Sequence, residues 1–152
     1  MTSPTRETVC ANLYFTDASQ KSDLLDIRQT NTNLIQILLD WQKGPWDAEY
    51  GETIIGITSV RTDHSDDSWL GEHCHAFGRA IDCWPRSYMH AGWWVPHDSP
   101  EMVGFLKFLT AHPLVFNIGL GGSVDTPENL AILGAKGFQD DGEDHVHFSC
   151  VF

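Results

Sequence analysis

The stretch "GEHCHAFGRAIDCWP", residues 71–85, holds more potential metal ligands than any other part of the chain. Within it, Gly78 allows a bend between His75 and the residues that follow, which have the pattern of a short strand. In an extended strand Asp82 lies on the face opposite to Ile81, where His75 can fold back towards it. The spacing therefore predicts that an imidazole nitrogen and a carboxylate oxygen converge. A catalytic zinc site needs one more protein ligand.

A second segment, "EDHVHFS" (residues 143–149), can supply that ligand. His145 and His147 alternate with apolar residues, so both imidazoles lie on the same face of a strand, away from the core. Either histidine, joined to the two ligands of the first segment, completes a His, Asp, His set. Asp144, in the turn before the strand, adds a carboxylate. Zinc brings the pKa of a bound water to about 7, and a nearby carboxylate can accept its proton.

The remaining pattern predicts an α+β fold, with helices packed on a small, mainly antiparallel sheet. Capping residues and apolar periodicity predict three helices, at about Asn31 to Lys43, Pro100 to about Ala111, and Thr126 to Gly137. Apolar and alternating runs predict four strands, at residues 53–60, 78–84, 114–120 and 145–151. Pro85 is expected to end the second of these strands. We expect residues 1–152 to form a single domain.

Composition argues against several classes of function. Nine Lys and Arg against 21 Asp and Glu give a net charge of −12, which disfavours binding to nucleic acid and electrostatic adhesion to anionic membranes or cell-wall polymers. No apolar run is long enough to cross a membrane, and the first residues lack the pattern of a secretory signal, so we expect a cytoplasmic monomer. The four cysteines include no CxxC pair, which predicts free thiols rather than a zinc knuckle.

Together the two segments resemble the LAS-type zinc metallopeptidases. "HAFGRAID" fits the pattern His-x-x-Gly-x-Ala-x-Asp, and "DHVH" fits Asp-x-x-His, in the family's order. The resemblance extends over about residues 54–149. It implies a hedgehog-like fold, which the family's D-alanyl-D-alanine carboxypeptidases and phage L-alanyl-D-glutamate endopeptidases share with the hedgehog signalling domain.

The resemblance also implies a ligand set, in which His75, Asp82 and His147 bind Zn²⁺. The family commonly has a serine two residues before the first zinc histidine, and this chain has His73 there. The spacing to the glycine, alanine and aspartate of the motif favours His75 over His73 as the ligand.

Further roles are implied for residues around the metal. Asp144 would be the general base, and His145 would lie beside the metal and help to orient or stabilise the oxyanion. Arg61, in "ITSVRT", would polarise the scissile carbonyl or hold a substrate carboxylate through its forked, permanently charged guanidinium. Aspartate as the base, with no tryptophan near the last histidine, is closer to the phage endopeptidase branch.

The function expected from this resemblance is that of a zinc-dependent peptidoglycan peptidase of the endolysin type. It would hydrolyse the L-alanyl-D-glutamate bond of bacterial cell-wall stem peptides, after waiting in the host cytoplasm until the membrane opens. One alternative is a D-alanyl-D-alanine carboxypeptidase. Another is a non-catalytic zinc-binding module of a virion, in which the metal serves folding.

Simpler interpretations exist for the same residues. His75 and Asp82 can form a hydrogen-bonded pair in a polar loop, and Asp144 can be a turn residue. The other histidines outside the motifs are expected at the surface or in the core: His64, His90, His97 and His112. Trp93 and Trp94 are candidates for a groove wall, with one of them expected to be buried.

Overall fold

The structure is a computed structural model that describes residues 3–44, 53–87, 89–90 and 93–152. Five α-helices are present in this part of the chain: α1 (Ser3–Ala11), α2 (Ala18–Leu25), α3 (Thr32–Lys43), α4 (Pro100–Ala111) and α5 (Pro127–Leu133). Six strands accompany them: β1 (Leu13–Phe15), β2 (Thr53–Ser59), β3 (Ala80–Ser87), β4 (Val115–Gly121), β5 (Gly137–Gln139) and β6 (His145–Cys150).

The strands form one sheet in the order β1-β2-β3-β6-β4-β5. The three inner pairings are antiparallel, whereas the two edge pairings, β1 with β2 and β4 with β5, are parallel. The α+β class is confirmed, and the sheet is mixed, with three antiparallel pairings among five, so most of its pairings are antiparallel as expected. Parallel neighbours need crossover connections. Here α2 and α3 connect β1 to β2, and α5 connects β4 to β5.

Two of the predicted helices are confirmed nearly to the residue because their caps are explicit in the sequence. The Asn31 side chain accepts a hydrogen bond from the amide of Asn33 at the start of α3. Ser99 accepts from the amide of Met102 at the start of α4, where Pro100 occupies the first turn. The two helices contribute to one apolar core with the sheet, and Trp41 packs edge-on against Phe105 at 5.1 Å.

The core side of the sheet and the polar side alternate as the sequence predicts. Ile81 and Cys83 of β3 and Val146 and Phe148 of β6 are fully buried in the core. Intervening residues therefore lie on the other face, which is where both histidines of β6 are found. All four cysteines are free, as expected, and all four are buried.

Pro85 does not end its strand, so that prediction is wrong. β3 continues to Ser87, with Pro85 opposite Ile55 of β2. The carbonyl of Pro85 accepts a hydrogen bond from Val95, on the side away from β2. In a strand the nitrogen of a residue points to the same side as its carbonyl, so the missing N–H removes no bond to β2.

Two other expectations are corrected. The helix that begins after Thr126 ends at Leu133, and a 3₁₀ turn (Gly134–Lys136) follows it, so Gly137 begins β5 instead of closing the helix. Trp93 and Trp94 are 45% and 36% exposed, so neither is buried.

The longest described helices have 12 residues, and none of the described helices is long and apolar enough to span a membrane.

Candidate metal centre

Strand register brings two of the predicted ligands together. Asp82 of β3 lies directly opposite His147 of β6 in the antiparallel pairing. Because both residues alternate with buried apolar neighbours, their side chains lie on the same, non-core face of the sheet. The Nδ1 atom of His147 lies 3.3 Å from Oδ1 of Asp82.

His75 reaches the same carboxylate from a 3₁₀ turn, His75–Phe77, that precedes β3. Gly78 ends this turn with φ of 67°, in the left-handed region, and its amide donates to the carbonyl of His75. A Cβ at Gly78 would also collide with the carbonyl of Gln29. The glycine of the motif is thus required twice, by its backbone conformation and by a close approach.

The tautomer of His75 is set by the backbone. Its Nδ1 lies 2.5 Å from the carbonyl oxygen of Val60, which can only accept, so Nδ1 carries the hydrogen. The Nε2 atom of this residue, which is 2% exposed, lies 3.2 Å from Oδ1 of Asp82 but is not aligned for a hydrogen bond and has no other partner. A buried ring nitrogen without a partner, beside a carboxylate, fits a metal ligand.

Distances within the cluster fit zinc. Ligand atoms of His75, Asp82 and His147 all lie within 4.8 Å of one another. The separations of Oδ1 of Asp82 from the two histidine nitrogens, 3.2 Å and 3.3 Å, match the roughly 3.3 Å between ligand atoms that tetrahedral bonds of about 2.0–2.1 Å to zinc require. The donor set, two imidazoles and a carboxylate, is also one that zinc accepts in catalytic sites.

Electrostatics couples the three side chains. Burial alone would raise the pKa of Asp82, but His147 and His75 outweigh it and hold that pKa well below its ordinary value. Burial alone would lower the pKa of His75, but Asp82 and the Val60 carbonyl raise it above its ordinary value. A metal ligand must be deprotonated, so protons and a cation compete for Nε2 of His75.

His145 lies beside this cluster as a cation. Its Nδ1 donates to the carbonyl of Glu143 at 2.7 Å, and its Nε2 donates to Asp140 at 2.9 Å. Both partners are acceptors, so both nitrogens carry hydrogen. The hydrogen bond to Asp140 raises the pKa of His145 to about 9 despite burial. Nε2 also lies 3.9 Å from Asp82, which places a positive charge near the metal ligands.

Glycines in β4 make room for this arrangement. A Cβ at Gly121, which lies opposite His145 in the sheet, would collide with the imidazole ring. A Cβ at Gly119 would collide with the ring of Phe138. Gly119 and Gly121 therefore leave space for the two rings that lie over β4.

Asp144 lies in the loop before β6 and is exposed. Its Oδ1 accepts a hydrogen bond from the amide of Ser123 at 2.7 Å, which anchors the carboxylate to the 3₁₀ turn after β4 (Gly122–Val124). Asp144 lines the same groove as Asp82 and His145. That position is compatible with the role of a base, which stays a prediction.

The structure does not bring Arg61 or His73 into the cluster. The guanidinium of Arg61 donates to the carbonyls of Arg28 and Gln29. His73 places Nδ1 against the carbonyl of Cys150 at 2.8 Å, and its ring stacks on Phe116. Of the two histidines in the first segment, His75 is the one that faces Asp82.

His64 was missed by the motif analysis. Its ring stacks on that of His75 at 3.7 Å with an interplanar angle of 6°, and its Nε2 lies 3.6 Å from Oδ2 of Asp82. His64, Asp67 and His75 form a second group that could hold a metal. However, the in-plane lone pairs of parallel rings do not converge on one ion. Both oxygens of Asp67 also accept backbone amides, from His75 and Ala76.

Two adjoining grooves open above the cluster. One, which we call the aromatic groove, has a volume of about 490 Å³ and is lined by His75, His147, Phe116 and Phe138 among others. The other, the acidic groove, has a volume of about 730 Å³ and contains Asp82, His145 and Asp144. They share five lining residues: His64, Asp67, Leu70, Phe138 and Asp140. Volumes of this size suit a short peptide.

Comparison with known proteins adds no family: no protein-family model matches the chain, and no curated protein matches it.

Proposed function

We propose that this protein is a zinc-dependent peptidase of the endolysin type that hydrolyses the L-alanyl-D-glutamate bond of peptidoglycan stem peptides. The observation that carries the proposal is the buried, unpartnered Nε2 of His75, which faces Asp82 and His147 at the spacing of zinc ligands. In a phage, such an enzyme waits in the host cytoplasm and reaches the wall when the membrane opens.

The residues divide the chemistry as follows. A zinc ion held by His75, Asp82 and His147 would polarise the scissile carbonyl and acidify a water. The Asp144 carboxylate accepts the proton of the attacking water and passes it to the leaving amine. His145, held as a cation by Asp140, contributes positive charge beside the developing oxyanion. Arg61 is less suited to that task because its guanidinium is bound to backbone carbonyls.

The lining of the grooves favours an endopeptidase over a D-alanyl-D-alanine carboxypeptidase. A carboxypeptidase has to bind the terminal carboxylate of its substrate, which calls for a positive side chain such as arginine. Among the described residues, neither groove is lined by a lysine or an arginine, and the one cation we assign there, His145, is already paired with Asp140. An internal peptide bond requires no such cation.

A second observation favours a catalytic over a purely structural metal site. Structural zinc sites have four protein ligands, whereas catalytic sites leave one position to water or substrate. Two other histidines of the motif segments, His145 and His73, do not belong to the ligand group: both ring nitrogens of His145 and Nδ1 of His73 are hydrogen-bonded elsewhere.

Digestion of purified peptidoglycan tests the proposal. With zinc present, we expect new amino groups, and mass spectrometry of the fragments should show free L-alanine carboxyl ends and D-glutamyl amino ends. Asp144→Asn should lower the rate about 10²- to 10⁴-fold while zinc still binds, because only the proton acceptor is lost. Glu7→Gln, at an exposed position of α1, is the matched control and should keep full activity. Absence of any cleavage by the zinc-loaded wild type would remove the proposal.

A further inference from the structure

A third groove, which we call the tryptophan groove, has a volume of about 440 Å³ and is lined by Trp84 and Trp94 among others. It shares Thr58 and Asp144 with the acidic groove, so the two grooves are continuous beside the proposed base. Trp84 follows Asp82 by two residues on the same face of β3, which places the two residues about 7 Å apart. The tryptophan groove therefore begins close to the candidate metal centre.

The ring of Trp94 is held in place although it is 36% exposed. It lies over Gly56 of β2, where a Cβ would collide with the ring. The guanidinium carbon of Arg86 lies 4.7 Å from the ring centroid, and the ring of Tyr14 meets the indole edge-on at a centroid distance of 5.8 Å. An exposed indole that is fixed by its neighbours is preorganised to receive a flat apolar surface.

The backbone beside this ring adopts an uncommon conformation. Trp93 has φ of 71°, in the left-handed region, which a bulky residue rarely adopts. Its carbonyl accepts a hydrogen bond from the amide of Ser87 at 2.7 Å, and Trp94 pairs with Arg86 at the end of β3. Strained residues of this kind are concentrated at ligand-binding and catalytic sites. The strain therefore adds a second reason to look for a ligand at Trp94.

The rim of the tryptophan groove offers hydrogen-bonding groups. The side chains of Thr58, His97 and Ser123 make no hydrogen bond to another described residue. Asp144 uses one carboxylate oxygen for the amide of Ser123 and keeps the other. Among the described residues, no lysine or arginine lines this groove. An aromatic surface with such a rim suits an uncharged sugar ring, which presents C–H bonds on its faces and hydroxyl and acetamide groups at its edge.

We infer that the tryptophan groove binds the N-acetylated sugar to which the stem peptide is attached, with Trp94 as the residue that selects it. This inference rests on the proposed function and deepens it. In peptidoglycan the amine of L-alanine is acylated by the lactyl group of N-acetylmuramic acid. The sugar ring therefore begins about two residue lengths, roughly 7 Å, from the L-alanyl-D-glutamate bond.

That length matches the spacing from Asp82 to Trp84, so a substrate with its scissile bond at the metal reaches the tryptophan groove with its sugar. The other part of the stem, beyond the scissile bond, carries carboxylates, for which this groove provides no lysine or arginine. The enzyme accordingly prefers stem peptides that are still attached to the glycan over free peptides.

The test measures binding separately from cleavage. The probes are two ligands in which a reduced, uncleavable bond joins L-alanine to D-isoglutamine. One ligand carries N-acetylmuramic acid on the alanine amine, and the other carries only an acetyl group. We expect the zinc-loaded protein to bind the muramoyl ligand about tenfold more tightly in isothermal titration calorimetry, because only this ligand covers the indole.

Variants locate the preference. Trp94→Ala should bring the two dissociation constants within about twofold of each other. Trp94→Phe keeps an aromatic ring over Gly56 and should retain a preference of about threefold. Trp69→Ala is the matched control, because Trp69 is also an exposed tryptophan, at 81%, but lines the acidic groove. It should retain the tenfold preference.

A measurement on the wild type makes the test independent of how the variants fold. Nuclear Overhauser effects are expected between the sugar-ring protons and the Trp94 indole. Effects to Trp69 instead would overturn the inference.

The outcomes are distinct. Equal binding of the two ligands by the wild type overturns the inference, as does a tenfold preference that survives in Trp94→Ala. A preference that is lost in Trp94→Ala and retained in Trp69→Ala supports it. If this pattern is found but the normal peptide bond is never cleaved, the sugar site stands and the proposed peptidase activity fails. If the bond is cleaved but the two ligands bind equally, the inference fails alone.

Discussion

Two buried histidines in this molecule each lie beside an aspartate, His112 beside Asp40 and His75 beside Asp82, but their hydrogen bonds differ. In the first, Nδ1 of His112 accepts the amide of Leu114, so Nε2 carries the hydrogen and donates to Asp40 at 2.8 Å. In the second, Nδ1 of His75 donates to a carbonyl, so Nε2 presents a lone pair to Asp82. The hydrogen bond of the first pair needs no further group. In the second pair, Nε2 of His75 and the carboxylate of Asp82 are both acceptors, so a proton or a metal ion has to lie between them.

This difference separates a structural pair from a candidate metal site without reference to sequence motifs. His112 also contacts Lys136 through its carbonyl, which links the end of α4 to the segment before β5. His75 in contrast turns its unpartnered nitrogen towards two other potential ligands. The backbone partner of Nδ1, an amide in one case and a carbonyl in the other, therefore decides what each histidine can do.

The largest effect is expected from removing one histidine of each kind. His75→Ala should lower zinc affinity more than about 100-fold, because one of three ligands is lost. His112→Ala should leave zinc affinity unchanged and lower the free energy of unfolding by about 1–3 kcal/mol, because a buried hydrogen-bonded group is removed. Competition with a chromogenic chelator measures the affinity. Equal zinc affinity of the two variants would show that His75 is not a zinc ligand.

The bend that aims His75 at Asp82 can be broken at Gly78. Gly78→Ala should lower the free energy of unfolding by about 2–4 kcal/mol, because it combines a left-handed backbone with a collision against the Gln29 carbonyl. Gly134→Ala is the comparison at an open position: its φ of 55° and ψ of −133° are also unfavourable for alanine, but no atom lies within 4 Å of the added carbon. It should cost about 1–3 kcal/mol in chemical denaturation, from backbone strain alone. A loss at Gly78 no larger than that at Gly134 would show that the close approach does not matter.

A pH dependence is expected from His145 in the metal-free protein. Its pKa is raised to about 9 by Asp140, above the unfolded value near 6.5. The ion pair therefore stabilises the fold fully below about pH 6.5, and this contribution is lost as pH rises towards 9. Asp140→Asn should remove about 1–3 kcal/mol at pH 6 and much less at pH 10. Urea titrations across this range measure it, and a loss independent of pH would contradict the pairing.

The smallest effect on kcat/KM is expected from replacing Arg61. Comparison with His145 tests which of the two cations acts on the substrate. Arg61→Ala should change kcat/KM for wall fragments by less than about threefold, because its guanidinium serves the connection between α2 and α3. His145→Gln should lower kcat/KM by about 10²-fold, because it removes the charge beside the reacting carbonyl. A larger loss of kcat/KM in Arg61→Ala than in His145→Gln would show that Arg61, not His145, stabilises the oxyanion.

Much of this arrangement follows from local signals in the sequence. Alternation of apolar and polar residues in β3 and β6 predicts which side chains share a face, and the register then places Asp82 opposite His147. Explicit caps at Asn31 and Ser99 define α3 and α4. The bend at Gly78 is predicted by the glycine itself.

The features that the sequence does not predict depend on long-range contacts. The first thirty residues lack clear periodicity, and their elements are short: α1, α2 and a three-residue β1. They are stabilised by tertiary contacts such as the buried Arg6, which donates to the carbonyls of Leu24 and Thr30. His64 and Asp140 belong to no motif. They reach the cluster only because the 61–67 segment and the 140–144 loop close over the sheet.

The most direct test of the account is a crystal structure of the zinc-loaded protein with anomalous scattering measured at the zinc absorption edge. The account predicts one ion bonded to Nε2 of His75, a carboxylate oxygen of Asp82 and Nδ1 of His147, with a remaining position open to water. An ion bound instead between His64 and Asp67, or no ion near Asp82 at all, would contradict it.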